Sequence, residues 1–117
     1  MGTWGIEPWD NDEAADWFQA LFQVTKLGER VEECLQRPLT GNMAEIRAAA
    51  YVVLALGRAY IWPLESLDRC LPMAIARLQE IETLISDSES EEYRDILQAI
   101  VAEIQELLNR HGNEGGE

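Results

Sequence analysis

A chain of 117 residues with 47% hydrophobic content is one globular domain by size, able to bury a core of its own. Its 22 acids against nine bases give a formal charge of −13, which argues against nucleic acid or an anionic membrane as a partner. Residues 1–41 carry eight acids and three bases, residues 42–77 three and four, and residues 78–117 eleven and two, so a near-neutral middle is flanked by acidic segments.

Taken in chain order, residues 1–10 read as a loop holding Trp4, Gly5, Pro8 and Trp9. A first helix is expected from about Asn11 to Lys26, with Asp10 and Glu13 spaced as a capping box. Its apolar residues Ala14, Trp17, Phe18, Leu21, Phe22 and Val24 form a broad helical stripe that assigns Trp17 to the core, and Gly28 is the expected stop. A short helix fits Glu29 to Gln36, with Val31, Cys34 and Leu35 inward, before Pro38 and Gly41 break the chain. The third helix opens at Asn42, with Glu45 three residues on, and runs towards Tyr60. It is apolar nearly all round and therefore central, and Trp62-Pro63 is expected to end it.

A fourth helix spans roughly Ser66 to Ile85, and Pro72 either kinks it or starts a new one. Ser88 and Glu91 form another candidate capping box. The fifth helix, Glu89 to Asn109, repeats Tyr93, Leu97, Ile100, Ile104 and Leu107 at intervals of four and three, with Ile96, Val101 and Leu108 widening the stripe. Gly112 should close it, leaving residues 112–117 as a flexible tail. No segment alternates with period two. The expected fold is all-α: a compact antiparallel bundle of four main helices plus one short helix, with an N-terminal aromatic loop, all in one domain spanning 1–117.

The chemistry that the residues support is sparse. Asp10, Asp12, Glu13 and Asp16 crowd seven positions, and Asp12 and Asp16 share a helix face that suits a hard cation. The rest of a calcium loop is missing, because Leu21 stands where the twelfth-position glutamate belongs; helix capping and dipole complementation explain the acids more simply. Cys34, Cys70 and the single His111 have no zinc spacing, and no nucleophile has a base beside it. We therefore expect no catalytic residue, no metal and no cofactor. The cysteines read as free thiols in a cytoplasmic protein without a signal peptide, and no apolar run is long enough to span a membrane. Trp62 should pack under the turn between the third and fourth helices, and Trp4 and Trp9 should clamp the N-terminal loop onto the bundle.

The opening residues Met1, Gly2, Trp4, Gly5, Pro8, Trp9, Asp10, Asn11, Asp12, Ala14 or Ala15, Asp16 and Trp17 carry a resemblance. The chain resembles an uncharacterised bacterial family, domain of unknown function 4259, whose members begin Met-Gly-x-Trp-Gly and continue to Asn-Asp. Trp9 stands where phenylalanine is commoner, and Glu7 where glycine is often found. The resemblance implies a small cytoplasmic helical protein and no particular reaction. The candidate motif is accordingly Trp4, Gly5, Trp9, Asp10, Asn11, Asp12, Asp16 and Trp17. The expected function is a small acidic non-enzymatic interaction domain, immunity-like by analogy, that binds a basic protein through the acidic surfaces of its last two helices. The alternatives are a divalent-metal or small-ligand site built from the N-terminal Asp cluster and tryptophans, and a homodimer paired through the fifth helix.

Overall fold

The computed structural model describes residues 5–87 and 91–115. Five helices follow one another: α1 (Asp12–Thr25), α2 (Leu27–Leu35), α3 (Met43–Leu56), α4 (Leu64–Ser86) and α5 (Arg94–Gly115), with a single 3-10 turn, Glu91–Tyr93, leading into α5. Among the described residues there is no strand, and the all-α bundle of four longer helices and the nine-residue α2 is as the periodicity implies. No helix among these residues is long and apolar enough to cross a membrane.

The packing order can be read from contacts that tie each helix to the next. Arg69 on α4 grips Glu32 on α2 at 3.0 Å, and Arg77 reaches the carbonyl of Arg37 just past α2. These pairs advance together along both chains, so α2 and α4 run parallel. Arg47 makes a bidentate pair with Glu103 (2.7 Å for the shorter bond), and Arg110 donates to the Leu54 carbonyl at 3.0 Å, which makes α3 and α5 parallel as well. A Cβ placed on Gly57 would meet Leu67 at 3.2 Å, so the end of α3 meets the start of α4 and these two run antiparallel. The core is built where the four meet, from Leu35, Ile46, Val53, Trp62, Leu67, Leu78, Ile81, Ile100 and Leu107, all nearly inaccessible.

Several helix ends differ from the sequence expectation. The cap of α1 is Asn11, whose Oδ1 accepts from the Ala14 amide at 2.8 Å, and not Asp10. Gly28 does not stop α1; the chain turns two residues earlier, at Lys26, with φ of +56°. Gly28 instead lies buried inside α2, where a Cβ would sit 2.6 Å from Ser66 Oγ, so the glycine serves the approach of α2 to α4. Helix α3 ends at Leu56, short of Trp62-Pro63. Arg110, which sits 7% exposed, donates to Leu54 O in the last turn of α3 and to Gly57 O just past it, the latter at 3.3 Å. Pro72 neither ends nor starts a helix: α4 runs unbroken from Leu64 to Ser86. Pro72 lies on an exposed face, where water can satisfy the carbonyl that loses its amide partner. Gly112 does not close α5, which continues to Gly115. Ser88 lies outside the described residues.

Candidate functional site

Two parts of the molecule present side chains that the core does not use. The first is the N-terminal corner. Glu7 to Asp10 form a turn with Pro8 at its second position, closed by the Asp10 amide donating to Glu7 O at 3.0 Å. The Asp10 carboxylate closes the same turn from the other side by accepting from the Glu7 amide, also at 3.0 Å. Gly5 lies against that carboxylate: a Cβ there would fall 2.6 Å from Oδ2. Asp10 is thus a turn residue, turned back on its own loop. Trp9 is half-buried and stacks under the guanidinium of Arg58, whose Cζ is 4.6 Å from the ring centroid. Trp4 lies outside the described residues.

The expectation that Trp17 is core is overturned. It is 61% exposed and touches Phe18 edge to face, with the centroids 5.4 Å apart. Phe18 and Phe22, four residues apart, form the face of α1 that meets the bundle, and Phe22 packs on Trp62 with centroids 4.9 Å apart. The apolar arc of α1 is wider than the stripe one neighbouring helix can cover, so Trp17 and Val24, seven apart, are left outside.

Asp12 and Asp16 are both exposed and line a cleft of about 410 Å³ with Tyr60 and Trp62. Tyr60 holds φ at +75°, a conformation that costs a non-glycine residue roughly 1–3 kcal/mol. A second cleft of about 440 Å³ continues from the first past Gln19 and Pro63, towards Lys26, Ser66 and Arg69. Trp62 donates to Ser66 Oγ at 2.9 Å on its floor. Among the described residues, no three His, Cys, Asp or Glu side chains converge as a metal cage. Of the motif residues, Asp12 and Asp16 therefore share one surface, Asn11 and Asp10 serve local backbone, and Trp9 and Trp17 point to different neighbours. Tyr60 and Arg58 were missed by sequence reasoning. An ordinary aromatic and an ordinary base carry no signal of a left-handed turn.

The second part is the far end of the α4–α5 hairpin. Gly57, just past α3, lies against Leu67 of α4, and Arg47 of α3 meets Glu103 of α5. At one 1.5 Å rise per residue, the start of α3 falls level with about residue 81 of α4 and about residue 99 of α5. Burial stops at the same level: Ile81 and Ile100 are almost inaccessible, while no residue among 82–87 or 91–99 is buried. These fifteen residues hold Glu82, Asp87, Glu91, Glu92 and Asp95 against the single base Arg94, a net charge of −4. Leu84, Tyr93 and Ile96 are exposed among them, at 47%, 43% and 38%. In the body of the bundle the balance is different, because Arg37, Arg47, Arg69 and Arg77 each hold a glutamate.

No curated protein and no solved structure matches the chain significantly. One family model does match, over residues 2–114, nearly the whole chain and not only its opening motif. The protein belongs to the family described as Domain of unknown function (DUF4259).

Proposed function

We propose that this protein is a small acidic non-enzymatic interaction domain that binds a basic protein partner. The observation that carries this reading is the segregation of charge: four arginines of the bundle body, Arg37, Arg47, Arg69 and Arg77, each hold a glutamate, whereas the projecting end of α4 and α5 has five acids to one base, Arg94. Such a surface steers a cationic partner and discriminates against anionic ones. Neutralising a basic toxin, as immunity proteins do, is one biological use that suits this chemistry. The test is capture by the full-length protein from lysate of its source organism, washed at low and at high salt. A basic protein retained at low salt and released at high salt is the expected result; no partner, or one indifferent to salt, would sink the proposal.

A second reading has its own observation. The left-handed Tyr60 beside Asp12 and Asp16 is the kind of strained residue that clusters at binding sites, and the adjoining clefts have the volume of small-molecule pockets. A cation or small ligand held there would raise the melting temperature. If millimolar calcium, magnesium and manganese leave it unmoved, the cation form of this reading fails.

A further inference from the structure

The exposed apolar residues at the hairpin end lie on continuations of two packing tracks. On α5, Arg110 and Glu103 both face α3, and Ile96 is the next position seven residues back. Residues seven apart lie on nearly the same helix face, so Ile96 points to where α3 would lie if it began earlier. On α4, Cys70 lies beside the Gly28 carbonyl and Arg77 reaches Arg37, and Leu84 is the next position on that line. Ile96 is therefore bare because α3 stops, and Leu84 because the α2 segment stops. Neither is a scattered surface hydrophobe.

We infer that the uncovered track beyond the start of α3, marked by Ile96 and flanked by Glu92 and Asp95, is a docking surface for a Lys/Arg-rich amphipathic segment of a partner protein. The inference rests on the interaction-domain reading and names the surface and the partner's chemistry. The apolar position supplies the anchor, as buried anchors do in interfaces. The carboxylates around it demand a cationic rim on the incoming segment, and a helix laid along the track presents apolar residues at intervals of three and four, as α3 itself does. The charge also selects against a second copy of this chain, since two such ends bring like charges together.

The probe is a fluorescein-labelled synthetic peptide with leucines at helical spacing and Lys or Arg elsewhere, titrated against the full chain by anisotropy. Its controls are a scrambled peptide of equal charge and a version with Gln for every base. Saturable binding is expected for the patterned peptide, at least tenfold weaker for either control. Ile96→Ser and Asp95→Lys should each weaken it at least tenfold with unchanged far-UV circular dichroism, while Trp17→Ser on α1 and Tyr51→Ser on α3, both exposed aromatic positions away from this surface, should leave it intact. Equal binding of the scrambled peptide, indifference to Ile96→Ser, or no binding at all overturns the inference. So does an Ile96-dependent dimer in sedimentation, which would make a second copy the occupant. If Ile96→Ser and Asp95→Lys variants still capture a salt-sensitive basic partner from lysate, this surface is wrong and the interaction reading stands. If the unmodified protein captures none, that reading fails first.

Discussion

Asn11 and Asp10 are neighbours with the same chemistry in reach, and geometry gives them different work. Asn11 accepts from the Ala14 amide and caps α1; Asp10 accepts from the Glu7 amide and holds the preceding turn. Asn11→Ala should therefore cost about 1 kcal/mol of stability in urea unfolding, the usual loss for an N-cap, and should lower helicity at α1. Asp10→Ala should cost less, because its bond lies in an exposed turn that water can replace. The reverse ranking would restore the capping box that the spacing of Asp10 and Glu13 suggests. The cysteines divide in a similar way. Burial pushes the Cys70 thiol up from its usual 9.0, and the Ser66 hydroxyl opposes this only in part. A folded-state pKa above the unfolded value favours the folded form while the thiol is protonated in both states. That advantage is lost as pH rises through the folded value, so the protein should lose stability above about pH 9 and Cys70→Ala should flatten that decline. Cys34, only partly buried, should react first with a thiol reagent at pH 8.

At the scale of elements, the helices were legible because their apolar periods are strong, and their ends were not because contacts distant in sequence set them. Of the repeat Tyr93, Leu97, Ile100, Ile104 and Leu107, the last three form the buried face of α5 and Leu97 is half-buried, while Tyr93 and the flanking Ile96, Val101 and Leu108 proved exposed. Periodicity measures which face is apolar; it does not measure how far along that face a neighbouring helix extends. The same limit hid the corner where Asp12 and Asp16 meet Tyr60: the acids stand out in the sequence, and the turn that faces them does not. The end of α3 is the clearest case. Gly57 takes no left-handed cap, with φ of −79°, and the carbonyls of Leu54, in the last turn, and of Gly57 itself are held by Arg110, more than fifty residues away. Arg110→Ala should leave those buried carbonyls without their donor and cost about 1–3 kcal/mol. Arg110→Gln, which keeps a donor amide, should recover part of the loss. If thermal or urea unfolding shows Arg110→Ala equal to wild type, water reaches the end of α3 and the guanidinium is dispensable.

For the whole molecule, two electrostatic effects oppose each other and salt separates them. Six ion pairs among the described residues favour the folded chain, yet most have at least one well-exposed partner, and such pairs are worth about 0–1 kcal/mol each. Against them stands a net charge of −13, concentrated by folding into a small volume and heaviest in the last forty residues. Screening at about 0.5 M salt shortens the Debye length to roughly 4–5 Å, which removes long-range repulsion almost entirely. It touches close contacts such as the bidentate Arg47–Glu103 pair much less, because both side chains are partly buried. Stability measured by urea midpoint at pH 7 should therefore rise from low salt to about 0.5 M NaCl. Glu92→Lys with Asp95→Lys should raise the low-salt midpoint and reduce the salt response, since both relieve repulsion at the most acidic end. A midpoint that falls with added salt would mean the ion pairs outweigh the net charge, and the acidic end would then cost the fold little.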